Sequence, residues 1–295
     1  MRAQPDELAT HLATSRREID DALDRRLPPL GTAPASLHAA MRYSLLAPGK
    51  RLRGALVLAI DELVRGSRPA ALELACALEL VHASALILDD LPCMDDARLR
   101  RGKPVLHRVA GEAVAILAAI ELLQMAFAWL QELPVRGALR AELTARLARA
   151  IGAGGLIGGQ IADLEAVGLT LDLDALERIH SHKTGALFIA AGEMAARLAG
   201  ARERERAALA QYAKNLGLAF QITDDLLDFS GRPEVLGKDA QQDRERTTFV
   251  DLCGIDGSRR LVDELVGAAL GALEPFGRRA RLLHGFAEYV RQRDR

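Results

Sequence analysis

Cysteine is scarce in this chain of 295 residues: Cys76, Cys93 and Cys253 are widely spaced and form no CxxC pair. An odd, dispersed set excludes a disulfide framework and a zinc knuckle, and a reducing cytoplasm is the expected compartment. Net charge is lacking as well. The 39 Lys and Arg against 40 Asp and Glu leave a formal −1, so there is no global basic field and no nucleic-acid partner is expected. Aromatic residues are 4% of the chain and strand-like alternation is rare, which argues against a β-rich fold. Long uninterrupted apolar runs are missing too. The N-terminus alternates charged with apolar residues and lacks the h-region of an export signal. The most apolar stretch, Ala113 to Leu130, is broken by Glu121 and Gln124 and falls short of the roughly 20 apolar residues of a stable membrane span. It is expected to be a buried helix.

What is abundant is Ala and Leu, within a hydrophobic content of 49% that can fill a sizeable core. These residues lose little entropy in helices. Apolar positions recur at helical spacing, as in Leu72, Cys76 and Leu80, or Leu209, Ala213, Leu216 and Phe220. Gly and Pro break the pattern at intervals that leave about ten or more helices of ordinary length. There is no long linker and no internal repeat, so residues 1–295 are expected to form a single all-α domain.

Acidic residues concentrate at two places. Asp89, Asp90, Asp95 and Asp96 follow an apolar helix, and Asp224, Asp225 and Asp228 form a second cluster in which the first and last share a helix face. Like charges so close repel unless cations neutralise them. Oxygen-only ligands suit Mg²⁺, which typically bridges carboxylates to substrate phosphates. Basic residues that fit phosphates occur in the same regions: Lys50, Arg51 and Arg53 at a helix start, Arg98, Arg100 and Arg101 after the first acidic cluster, Lys183 beside Thr184 in an otherwise apolar helix, and Lys238 after Gly237. Together they outline a diphosphate site.

These motifs resemble the all-trans short-chain polyprenyl diphosphate synthases. The resemblance rests on Gly49-Lys50-Arg51-Leu52-Arg53, Asp89-Asp90 with Asp95, Arg100-Arg101-Gly102, Gly159-Gln160 with Asp163, Lys183-Thr184, Phe220-Gln221 with Asp224-Asp225 and Asp228, and Gly237-Lys238-Asp239. The stretch from His82 to Asp96 is most similar to bacterial geranylgeranyl diphosphate synthases of carotenoid-type pathways. The resemblance implies an isoprenoid-synthase-type bundle around a central cavity, a homodimer, and a prenyl transfer joining isopentenyl diphosphate to dimethylallyl, geranyl or farnesyl diphosphate. It also implies that Asp89, Asp95, Asp224 and Asp228 bind about three Mg²⁺ ions on the allylic diphosphate. Arg100, Lys183, Thr184, Gln221 and Lys238 would contact that same group, and Lys50, Arg53, His82 and Arg101 would hold isopentenyl diphosphate. The residues carrying the chemistry would be Asp89, Asp95, Arg100, Lys183, Asp224 and Lys238. Arg246, standing where many relatives have a Gly-Lys pair, is not assigned to the site.

Product length follows from size at one helical turn. A chain growing away from Asp89 meets the residues four and five positions earlier, Ala85 and Ser84, both small where farnesyl-forming relatives often carry an aromatic residue. Geranylgeranyl diphosphate is the expected product, with farnesyl or longer products as alternatives. A class I terpene cyclase shares the helical fold but does not need the isopentenyl-binding set. A catalytically silent partner subunit would usually lack one of the two aspartate motifs.

Overall fold

The computed structural model describes residues 5–230 and 246–293. Thirteen α-helices account for most of these residues. They are α1 (Pro5–Arg26), α2 (Ala35–Leu45), α3 (Leu52–Val64), α4 (Arg68–Asp89), α5 (Leu106–Ala110), α6 (Glu112–Gln131), α7 (Gly137–Ile151), α8 (Leu156–Glu165), α9 (Leu173–His180), α10 (Ala186–Leu198), α11 (Glu203–Ser230), α12 (Phe249–Ala272) and α13 (Arg281–Gln292). Among the described residues one short antiparallel hairpin, β1 (Leu99–Arg100) with β2 (Lys103–Pro104), accompanies the helices, and the all-α expectation holds.

α4 is the central element. Pro69 starts it, where a missing N–H costs nothing. From Ala70 to Ile87 it is buried on nearly every side, packed between α3, α6 and α10. A single hydrophobic cluster joins Leu8 on α1 to Val290 on α13 through these helices. α11, 28 residues long, lies along α10 and α12 and brings the second aspartate motif to its C-terminal end. α12 starts at a reciprocal cap: Thr248 Oγ1 accepts from the Asp251 amide, and the Asp251 carboxylate accepts from the Thr248 amide.

The expectation of a buried helix at Ala113–Leu130 needs correction. α6 buries Ala115, Ala118, Ala119 and Leu122 but exposes Ala113, Ile116, Leu117 and Ile120. α4 and α6 are both long and apolar enough to cross a membrane by length and composition, yet they pack against each other here.

Candidate active site

The first aspartate motif forms at the C-terminus of α4. Pro92 cannot continue the helix, and the chain folds back so that the Asp95 amide donates to the Asp89 carbonyl at 2.9 Å. That return explains the spacing, since it sets Asp95 beside Asp89. Asp90 points the other way. It is buried and accepts from Arg100 Nε at 2.7 Å, with Arg100 Nη2 at 2.6 Å. Burial draws the Arg100 guanidinium down, but Asp90 and then Asp89 outweigh it and the net shift is upward. The Asp89 carboxyl is pushed up to about 6, first by burial; Lys183 opposes and Asp95 adds to the rise.

Lys183 and Thr184 lie in a π turn, Ser181–Gly185, that joins α9 to α10 and replaces the regular apolar helix expected there. Such wide turns recur at functional sites. Lys183 Nζ donates to Asp163 Oδ2 on α8 at 2.7 Å. α8 comes this close because residue 159 is glycine: a Cβ there would lie 2.2 Å from the Lys183 amide nitrogen. Thr184 Oγ1 donates to Gln221 Oε1 at 2.7 Å, and Gln221 Nε2 donates to Asp225 Oδ1 at 2.9 Å. The other Asp225 oxygen accepts from the Phe249 amide at 3.0 Å, at the start of α12. Asp225 is therefore an internal brace between α11, α12 and the π turn. Burial is the main reason its carboxyl is pushed up to about 7.

Arg246 joins this group. Its Nη2 donates to Asp95 Oδ1 at 2.7 Å, and its Nη1 lies 3.5 Å from Asp163 Oδ2. Sequence reasoning quoted Asp163 only as part of a motif and set Arg246 aside, yet these two knit the π turn to the first aspartate motif. The signal was the retained charge at position 246.

The second basic set lies between α3, α4 and the hairpin. Arg53 Nη1 is 3.4 Å from His82 Nε2, and its guanidinium stacks on Phe188 at 4.6 Å. Burial, then the Arg53 charge, hold the His82 imidazole well below its ordinary value, so the ring is a neutral acceptor. Burial draws Arg53 itself down to about 10. Lys50 is exposed, its ammonium 5.6 Å from the Tyr289 ring on α13. Arg51, by contrast, is buried and structural: it pairs with Asp20 at 2.7 Å and Glu79 at 3.5 Å, and Glu79 also accepts from the Gly54 amide. Arg101 and Gly102 occupy the two turn positions of the hairpin with φ of 54° and 75°, the left-handed pair a tight two-residue turn requires. A Cβ on residue 49 would meet the Arg101 guanidinium at 2.5 Å, so Gly49 makes room for it.

Ser84 is buried, and its hydroxyl donates to the Ala119 carbonyl of α6 at 2.8 Å. Ala85 beside it is half-buried. Lys238 lies outside the described residues. Asp224 is partly exposed and 2.9 Å from Nη1 of Arg293, near the end of the chain. Nothing in the sequence pointed to Arg293.

Among the described residues, no three ligating side chains converge on one point as a closed metal cage does. The donor set still fits a hard divalent ion. Asp89 and Asp95 offer oxygen alone, and burial, which raises the cost of the charged form of Asp89, is a cost that a bound cation would offset. Mg²⁺ needs only one or two such carboxylates, with water and phosphate oxygens completing its shell.

Comparison with known proteins places the chain in a family. The sequence model of the family described as polyprenyl synthetase matches residues 34–254. The chain is 41% identical over 271 residues to geranylgeranyl pyrophosphate synthase 4 of Arabidopsis thaliana, covering 90% of this chain and 72% of that protein. It is 42% identical over 290 residues to a dimethylallyltranstransferase of Fischerella ambigua, covering 96% and 83%. Among solved structures, an apo FPP/GFPP synthase from Zymomonas mobilis superposes with a TM-score of 0.89 at 36% identity, covering 97% of this chain and 100% of the other. A geranyltransferase from Helicobacter pylori, complexed with magnesium and isoprenyl diphosphate, gives 0.83 at 28% identity over 95% and 96%.

Proposed function

The chain belongs to the polyprenyl synthetase family and is a prenyltransferase that condenses isopentenyl diphosphate with allylic diphosphates, and on that premise we propose that residues 1–295 are one catalytic domain making all-trans geranylgeranyl diphosphate. The observation that carries this reading is the presence of two separate basic sets. Lys183 and Arg246 gather at the π turn beside Asp95 and Asp163. Arg53 and His82 form the other, with Arg101 among the charges that act on the imidazole. Condensation needs two diphosphates held at once, whereas a terpene cyclase holds one.

In this reading Lys50, Arg53, His82 and Arg101 hold isopentenyl diphosphate. Arg100, Lys183, Thr184, Gln221 and Lys238 hold the allylic diphosphate, and Asp89, Asp95, Asp224 and Asp228 hold Mg²⁺, about three ions as in the family resemblance. When bound, Mg²⁺ neutralises the charge that develops on the leaving diphosphate. Lys183 adds a fixed ammonium for the same oxygens, kept charged because Asp89 and Asp163 together outweigh the burial that draws its pKa down. Ionisation leaves an allylic cation, which the isopentenyl double bond attacks; a proton then leaves the adjoining carbon for the released diphosphate. Thr184 and Gln221 lie next to that path. Their hydrogen bond orients the Gln221 amide oxygen, a neutral dipole suited to a transient cation.

Small side chains at Ser84 and Ala85, and relatives named for the C20 product, support geranylgeranyl diphosphate over farnesyl diphosphate. The free state of all three cysteines supports a reducing compartment, the cytoplasm. The exposed Ala113, Ile116, Leu117 and Ile120 face of α6 supports a homodimer, with a second copy covering it. Chromatography of products from radiolabelled isopentenyl diphosphate with dimethylallyl, geranyl and farnesyl diphosphate tests the reading. A labelled C20 diphosphate is the expected result. A C15 end product would overturn the chain length, and an unlabelled cyclic hydrocarbon would overturn the condensation.

A further inference from the structure

Arg293 stands one residue beyond α13 and reaches back into the site. Its side chain is only 9% exposed, its guanidinium stacks on Phe220 at 4.2 Å, and Nη1 lies 2.9 Å from Asp224 Oδ1. The contact is one of charge. Nη1 and Nε are both buried, and neither has a hydrogen-bond partner among the described residues. A buried guanidinium whose donors are left unmade is an expensive arrangement unless the paired charge justifies it. The charge that does so is the Asp224 carboxylate.

We infer that Arg293 is a positioning residue that serves as the counter-ion of Asp224 in the metal-free enzyme and is exchanged for a divalent cation when the site loads. The inference rests on the reading of Asp224 as a metal ligand. A carboxylate already facing a guanidinium attracts a second cation less, because the two positive charges repel across a few ångströms in a partly buried site. The unmade hydrogen bonds of Nε and Nη1 make Arg293 easier to displace, since leaving the ion pair and the Phe220 stack breaks none from those two atoms. The C-terminus thus weakens metal binding before substrate arrives and holds the Asp224 carboxylate in place meanwhile.

The test is Mn²⁺ titration of the substrate-free, full-length enzyme by calorimetry, comparing wild type with Arg293→Gln, Arg293→Lys and Asp224→Asn, each first checked by circular dichroism for an intact fold. Arg293→Gln should bind Mn²⁺ about tenfold more tightly than wild type, and Arg293→Lys, which keeps the charge, should stay within about twofold. Equal affinity of wild type and Arg293→Gln, with Asp224→Asn weakened, would overturn the inference and leave Asp224 a metal ligand. An Asp224→Asn protein that binds Mn²⁺ as wild type does would remove the metal reading of Asp224, and the inference with it.

Discussion

Arg246 donates to the carboxylate of Asp95 at 2.7 Å, a contact between residues 151 positions apart in the chain. It ties the segment leading into α12 to the loop after α4. Arg246→Ala should therefore lower kcat by roughly 10- to 100-fold, since one fixed cation is lost from a site built to stabilise a departing anion. Arg246→Lys keeps the charge but not the forked geometry and should recover part of the loss. Steady-state kinetics at saturating Mg²⁺ distinguishes the two; an alanine variant as active as wild type would mean that the pair only anchors the loop.

Asp89→Asn retains the shape of the side chain while removing its charge. Turnover should fall by roughly two or more orders of magnitude, with little change in thermal midpoint. The carboxyl is disfavoured in its charged form chiefly by burial, with Lys183 opposing, so the neutral amide avoids that desolvation cost. Kinetics alongside differential scanning calorimetry checks both halves of the expectation.

Gly159→Ala should be far more damaging than an ordinary glycine-to-alanine change in a helix. The new Cβ would sit 2.2 Å from the Lys183 amide nitrogen, so α8 and the π turn must separate. The Lys183 to Asp163 contact would lengthen, and the KM for the allylic diphosphate should rise more than that for isopentenyl diphosphate. Parallel KM measurements decide it.

Ser84 and Ala85 separate two effects that sequence alone merges. Ser84 spends its hydroxyl on the Ala119 carbonyl. Ser84→Phe must therefore push α6 away, and overpacking of this kind costs about 1–3 kcal/mol. Ala85→Phe, at a half-buried position, should shorten the product towards C15 with a smaller loss of thermal midpoint. Product chromatography and thermal melts on both variants check the split.

His180 should cost stability as pH drops below about 6.5, a loss read as the difference between wild type and His180→Phe. Burial is the main cause, with Lys183 and Arg246 adding, of a pKa lowered to about 4. The folded ring stays neutral where the unfolded one takes a proton, so its contribution is intact above 6.5 and lost as pH falls towards 4. The full swing is about 3 kcal/mol. Asp89 and Asp225, whose values are raised to about 6 and about 7, act with the opposite sign over an overlapping window. His180→Phe, which keeps a ring against Phe249, should lose less stability or gain more than wild type on going from pH 7 to pH 5. Urea midpoints of metal-free protein at pH 7 and pH 5 measure it.

Much of the fold was legible because Ala and Leu at helical spacing have one inexpensive outcome, and because glycines and prolines mark the breaks. The aspartate motifs were legible for a similar reason, as repulsive clusters need a cation. Asp225 shows where this stops: it sits in the same cluster as Asp224, but it turns inward to the Phe249 amide and Gln221. Charge pattern cannot tell a ligand from a brace, because the difference is set by the helix packed behind it. The hairpin was hidden for another reason. Arg101 takes a left-handed φ that its side chain does not favour, and tertiary contact with Gly49 overrides local preference there. Arg293 was invisible because its partner is 69 residues away and reached only by the return of the last helix.

The π turn at Ser181–Gly185 bears on how this enzyme can vary. Consecutive residues address different helices there: Lys183 reaches Asp163 on α8, and Thr184 reaches Gln221 on α11. That divergence depends on one widened turn, so it is set by residue count as much as by residue type. Substitutions around it can be absorbed one at a time. A single-residue deletion between α9 and α10 would restore ordinary helical register and uncouple both contacts at once, which makes chain length in this segment a stricter constraint than composition.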